Sequence, residues 1–160
     1  MKSVGVRYWP PQPMSNKLEK VQSEVRVLLK NQGMRATAQR LAVLVILHEQ
    51  EAPMTHEEVM GLLASGLYDK ASVWRVLSDL AGVGIVRRMD LGDRVWRYEL
   101  QDACRTVTDD HPHFLCEACK EVICLPSLEV RARDGELPKA LLDAEFHIRI
   151  SGTCGNCTGK

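Results

Sequence analysis

The chain has 160 residues, of which 45% are apolar and 26% charged, and its formal net charge is zero. That composition describes a soluble globular protein with room for one ordinary domain or two small ones. No apolar run approaches the ~18 residues a bilayer span needs. The N-terminal MKSVGVRYWPPQP lacks the apolar stretch of a secretory signal. Neither a membrane span nor a secretory signal is expected, and a cytoplasmic location is expected.

The zero net charge hides an asymmetry. Residues 1–100 carry 14 basic against 11 acidic side chains, and residues 101–160 carry 7 against 10. All six cysteines (Cys104, Cys116, Cys119, Cys124, Cys154, Cys157) lie in the second part. The two parts read as different modules, with boundaries expected at 17–101 and 102–160. In a reducing compartment clustered thiols point to metal binding or redox chemistry rather than to disulfides.

In chain order, residues 1–16 are Pro-rich and aperiodic, and a disordered arm is expected there. From Lys17 the spacing turns helical. Leu18, Val21, Val25, Leu28 and Leu29 share a face, and the helix stops near Asn31-Gln32-Gly33. Thr37 caps a second helix whose buried stripe is Leu41, Leu44, Val45 and Leu47. Thr55 caps a short third helix, THEEVMGLLAS, with Glu58 at the capping-box position. A fourth helix runs from Lys70 to about Ala81 behind Asp69. It turns Val73, Val76, Leu77 and Leu80 inward and Ser72, Trp74, Arg75, Ser78 and Asp79 outward. GIVRRMDLGDRVWRYEL then reads as two strands about a Gly92-Asp93 turn. Helices followed by a hairpin, with an arginine exposed on the last helix, make a winged helix-turn-helix. The second part reads as a small α/β module, with strands in HFLC, EVICL and HIRIS and a helix within 127–145. The expected fold class is thus α+β.

Cys116-x-x-Cys119 and Cys154-x-x-Cys157 are two pairs whose short spacers let four thiolates meet one ion. Four thiolates close a tetrahedral zinc site with no open position, the structural type. A thioredoxin-like pair would open a helix in a βαβ unit, and neither pair does so. A zinc deaminase would place a Glu two residues after a His, which HPH lacks. His111, His113 and Cys124 remain, with Glu99 and Cys104 nearby. His-x-His on a strand puts both imidazoles on one face. Imidazoles with a thiolate favour zinc over iron or manganese. The stretch HPHFLCEACKEVICLP therefore contributes to two sites, one closed and one mixed. His147 is read as a cap or surface residue, and His56 as part of a solvated helix N-terminus.

MRATAQRLAVL, KASVWRVLSDLAGVGIV, RYEL, HPHFLCEAC and GTCGNC together resemble the ferric uptake regulator superfamily of bacterial metalloregulators, over about residues 33–157. The resemblance lies closest to the zinc uptake regulator branch. It implies a homodimeric, metal-responsive repressor with an N-terminal winged helix and a C-terminal α/β dimerisation domain. It also implies a structural zinc on the two cysteine pairs and a regulatory metal on Glu99, His111, His113 and Cys124, with Cys104 like the extra thiolate of the zinc regulators. SVWR stands where the family's major-groove helix has TVYR, so Trp74 replaces a tyrosine. Ala52-Pro53 stand where many iron and peroxide sensors have a histidine, and Arg87 stands where several zinc sensors have a ligand.

The function expected from these readings is a zinc-sensing repressor of metal-uptake genes, not an enzyme. It acts on double-stranded DNA at a palindromic operator, with no membrane partner and no small-molecule substrate. Arg75 is the first candidate for a base contact, beside Ser72 and Trp74. Arg35, Arg40, Lys70, Arg88 and Arg94 are candidates for phosphate. An iron, manganese or peroxide sensor of the same family, a thiol redox sensor using Cys104 and Cys124, and a zinc enzyme are the alternatives.

Overall fold

The computed structural model describes residues 16–50, 52–101, 111–125, 127–129, 131, 135, 139–141 and 148–158. The Pro-rich arm, Cys104, His147 and most of the helix expected within 127–145 lie outside the described residues. Of that helix only a short 3-10 turn, Lys139–Leu141, is described.

Four helices come first: α1 (Asn16–Asn31), α2 (Ala38–Glu49), α3 (His56–Leu62) and α4 (Lys70–Gly82). Their N-termini are set by side chains that accept from orphan backbone N–H groups. Thr37 accepts from the Arg40 amide and Asp69 from the Ser72 amide. Thr55 and Glu58 form the reciprocal capping box that their spacing predicts. At the other end of α4 the chain turns through Gly84 at φ +74, so that the Gly84 and Ile85 amides reach the carbonyls of Ala81 and Leu80. Glycine is the residue that reaches this left-handed region without strain.

Strand β1 (Met54–Thr55) and the hairpin β2 (Val86–Asp90) and β3 (Trp96–Leu100) form an antiparallel sheet in the order β1-β3-β2. Val86, Tyr98 and Leu100 turn one face of the hairpin onto the helices, where they are buried with Val25, Leu29, Leu44, Val73, Leu77 and Leu80. On α2 the structure departs from the expected stripe. Val43 is fully buried, while Leu41 and Val45 are only half-buried. α2 packs against α1, α3, α4 and β3 at once, so its buried face is wider than a one-sided amphipathic pattern implies.

A second three-stranded sheet, ordered β5-β4-β6, holds β4 (His113–Cys116) antiparallel to β5 (Val122–Cys124) and parallel to β6 (Ile150–Gly152). The architecture is a winged helix followed by a small sheet module, the α+β arrangement expected. Among the described residues of that module only Leu115, Cys116 and Cys154 are buried, against seventeen apolar side chains buried in the core of the winged-helix part. Apolar burial therefore holds the first part together, and the described residues of the second contribute little of it.

Leu77 is fully buried and Leu67 is 68% exposed. Leu77→Ala is expected to destabilise the winged helix by about 3 kcal/mol, and Leu67→Ala by less than about 0.5 kcal/mol. Urea unfolding followed by helix circular dichroism measures both, and equal effects would contradict this core.

Candidate metal centres and DNA-facing surface

Two side-chain clusters bring metal-ligating atoms within 4.8 Å of one another: Cys116, Cys119, Cys154 and Cys157, and Glu99, His111, His113 and Cys124. The first is built from two tight turns. Cys116 ends β4, and the Lys120 amide turns back to its carbonyl with Lys120 at φ 63. In the second turn the Cys157 and Thr158 amides both reach the Cys154 carbonyl. Parallel pairing of β4 with β6 sets Cys116 beside Gly152, two residues before Cys154, and the turns face each other. The Cys119 and Cys154 sulfurs are 3.8 Å apart. That is far beyond a disulfide's ~2.05 Å. It matches the ~3.8 Å edge of a tetrahedron with metal–sulfur bonds of about 2.3 Å.

The electrostatics of the cluster favour a cation. Backbone N–H groups of Cys119 and Cys154 pull the Cys116 thiol down to about 6, whereas the crowding thiol of Cys154, then that of Cys119, pushes Cys157 up to about 12. Four thiolates cannot be held this close without a positive ion among them.

The second cluster joins the two modules. Glu99 lies on β3 of the hairpin, with its side chain 8% exposed. His113 starts β4, and the antiparallel register places Cys124 of β5 directly across from it, on the same face. His111 precedes the strand by two residues, and the two imidazole centroids are 4.6 Å apart. His111 Nε2 lies 3.8 Å from Glu99 Oε1, and His113 Nε2 lies 3.6 Å from Glu99 Oε2. These gaps are too long for hydrogen bonds. They approximate the ~3.4 Å between donors that share a tetrahedral ion at about 2.1 Å. Among the described residues, His111 Nδ1 and Nε2 and His113 Nε2 are buried without a hydrogen-bond partner. Buried imidazole nitrogens of this kind fit a metal that completes them. The donor set of one carboxylate, two imidazoles and one thiolate suits a divalent transition metal.

The helix-turn-helix displays a mixed surface. Trp74 is 53% exposed on α4, and Arg75 and Lys70 are exposed with it. Lys70 Nζ lies 3.5 Å from Glu57. Ser72 is half-buried and held on both sides. Its hydroxyl donates to the Asp69 carbonyl and accepts from Gln39 Nε2. Arg35 is exposed, and its carbonyl accepts from Arg40 Nη1. Arg40 Nη2 reaches Asp79 at 3.2 Å, which braces α2 against α4. On the wing the Arg88 guanidinium lies 4.4 Å over the half-exposed Trp96 ring. Arg94 sits in the turn at φ 61. His56 is not merely solvated, because its Nε2 lies 2.9 Å from the Lys70 carbonyl and links α3 to the start of α4.

Sequence reasoning missed three pairings: Gln39 with Ser72, Arg40 with Asp79, and Asp93 with Arg97. The last is a two-pronged bond inside the wing, at 2.8 Å on each prong. Its one sequence signal was an arginine at a strand position turned away from the helical core.

Residues 31–147 match the family model described as the ferric uptake regulator family. The chain belongs to the ferric uptake regulator family. It is 31% identical over 137 residues to the ferric uptake regulation protein of Bordetella parapertussis, covering 81% of this chain and 93% of that one. It is 28% identical over 137 residues to the peroxide operon regulator of Bacillus subtilis, covering 82% and 90%. The fold also matches the solved structure of a zinc uptake regulator complexed with zinc and DNA, with a TM-score of 0.55 at 19% identity, covering 89% and 96%. Membership makes the chain a metal-responsive transcriptional regulator rather than an enzyme. Among the described residues no helix is long and apolar enough to cross a membrane.

The lowered Cys116 value sets a pH window. A thiol whose value falls from 9.0 to about 6 on folding contributes stability that is complete above the ordinary value. That contribution shrinks as pH falls and is gone below about 6. Metal held by the four cysteines is expected to leave on acidification, because protons compete for the thiolates. A chromogenic chelator follows the release, and a site that keeps its metal equally at pH 8 and pH 4 would contradict thiolate ligation.

Proposed function

We propose that the chain is a zinc-sensing repressor of metal-uptake genes that acts as a homodimer on a palindromic operator. The winged helix would span 17–101 and the dimerisation module 102–160. The observation that carries the reading is the second cluster, in which Glu99 of the hairpin meets His111, His113 and Cys124 of the small sheet. A thiolate among the donors favours zinc over iron(II) or manganese(II). Cys104 is the candidate for a further thiolate at this site. The other cluster, Cys116, Cys119, Cys154 and Cys157, would hold a permanent structural zinc.

Bound at the second cluster, a dication supplies the positive charge that lets a carboxylate, a thiolate and two imidazoles share one small volume. The chain's own residues do the rest. Glu99 belongs to the hairpin and the other three to the sheet module, so joining them fixes the angle between DNA-binding and dimerisation parts. One such angle sets the two α4 helices of a dimer ~34 Å apart, in successive major grooves. Whichever angle binds the ion better gains population as the ion is added.

Within each groove Arg75 would read a base edge, and Trp74 would meet a thymine methyl. Ser72, already oriented by Gln39 and Asp69, would lie at the N-terminal end of the same helix. Lys70, Arg35, Arg88 and Arg94 would meet phosphate, and Arg40 would add its remaining donors while bracing α4. The zinc and DNA held by the similarly folded zinc uptake regulator support this reading. Iron or peroxide sensing is the second reading, favoured by the likeness to the peroxide operon regulator of Bacillus subtilis.

Fluorescence anisotropy with an operator of the family's type separates these readings while the four-cysteine site stays loaded. DNA affinity is expected to rise at least about tenfold with free zinc, an ordinary size for allosteric coupling. His113→Ala should abolish the rise, and Arg75→Ala should weaken zinc-bound DNA binding by about 1–3 kcal/mol. A rise with iron(II) and none with zinc would overturn the zinc assignment.

A further inference from the structure

The Arg97–Asp93 bond has no part in the roles assigned so far, yet it lies on the strand that carries Glu99. Arg97 Nη1 and Nη2 donate to Asp93 Oδ1 and Oδ2, both at 2.8 Å. The side chains are 4% and 11% exposed. Such a fork is geometrically specific and is shielded from screening by salt. Arg97 beside Asp93 holds that carboxyl below the usual carboxylate range. Arg97 and Glu99 stand two residues apart on β3 and therefore on the same face. β3 is the central strand, hydrogen-bonded to β1 on one side and β2 on the other.

At the far end of the fork is the wing turn. Asp90 Oδ1 accepts from the Gly92 and Arg94 amides, and Asp93 Oδ1 accepts from Val95. These bonds hold Arg94 in the left-handed region at φ 61, which a non-glycine residue occupies only when its surroundings enforce it. The small sheet module also reaches this turn. The Arg149 guanidinium occupies the space into which a Cβ on Gly92 would project. A cleft of about 620 Å³ runs beside the fork, with Asp93 and Arg97 on its wing wall and Cys119, Lys120 and Glu121 on its module wall.

We propose that Arg97 is a positioning residue that transmits the state of the Glu99 cluster to the wing. The inference rests on the reading that a metal at that cluster controls DNA binding. Glu99, once fixed to the sheet module, fixes β3. Arg97 then carries that fixed position along the strand to Asp93 and so to the turn that presents Arg94. Without the fork, the turn no longer follows β3, and occupancy at Glu99 ceases to reach the wing. Neither Arg97 nor Asp93 needs to touch metal or DNA for this.

The test is a double-mutant cycle on the full chain with Arg97→Gln, Asp93→Asn and both together. Zinc affinity is measured by chelator competition, and operator affinity by anisotropy with and without zinc. The ratio of the two operator affinities is the coupling factor. Zinc affinity and zinc-free operator affinity should stay within about twofold of wild type, while each single variant lowers the coupling factor at least about fivefold and the double variant lowers it no further. Arg97→Lys, which keeps the charge without the fork, should recover only part of it. Wild-type coupling in the single variants would overturn the proposal. So would an equal loss of operator affinity with and without zinc, which marks a merely structural wing bond. If Arg97→Gln loses cooperative melting, the near-isosteric Asp93→Asn decides alone. A wild-type protein whose operator affinity ignores every metal would instead overturn the proposed function, and this inference with it.

Discussion

A strand of four residues, His113–Cys116, constrains both metal-ligating clusters. Side chains alternate along a strand, so His113 and Cys116 project from opposite faces. One end serves the mixed cluster and the other the four-cysteine cluster. The two sites are separated by about 10 Å of extended chain. They share the hydrogen bonds of β4 to β5 and β6. If β4 slipped by one residue against either neighbour, it would turn the wrong side chains to both clusters at once.

The two parts of the chain are stabilised by different physics. The winged helix has a continuous apolar core that runs from Val21 on α1 to Leu100 on β3. The small module buries little among its described residues, and two of its three buried side chains are cysteines of one cluster. On the proposed reading, an ion held by the four cysteines would be coupled to folding there. It would brace one face of β4, and an ion on the other face would act on Glu99 from that braced strand. Four thiolates on one face and a mixed donor set on the other suit these different tasks.

The helices, their caps and the wing hairpin were legible because each depends on residues a few positions apart. Thr55 with Glu58, Asp69 with Ser72, and the Val73-Val76-Leu77-Leu80 stripe are local statements. The cysteine pairs were legible for the same reason, since each turn is closed within its own spacer. A mixed site on His111, His113 and Cys124 was readable from the His-x-His spacing and the leftover thiol, whereas Glu99 as its fourth ligand entered through the family resemblance. That convergence depends on the register that sets Cys124 across from His113 and on the approach of β3. The burial of Val43 and the pairings of Gln39 with Ser72 and Arg40 with Asp79 depend on how helices meet, which no periodicity encodes. The Asp93–Arg97 fork is close in sequence, but its pairing shows only once the burial of both side chains is known.

The most direct test of two metal clusters on opposite faces of one strand is a cobalt(II) titration of metal-free protein, followed by visible absorption. Tetrahedral cobalt gives intense ligand-field bands, and thiolate ligation adds charge-transfer absorption. The proposed function expects one ion at each of the two clusters found among the described residues. Cys124→Ser should remove thiolate charge transfer from the second ion while leaving the first intact. Saturation at one ion, or a second ion whose spectrum ignores Cys124, would contradict the account.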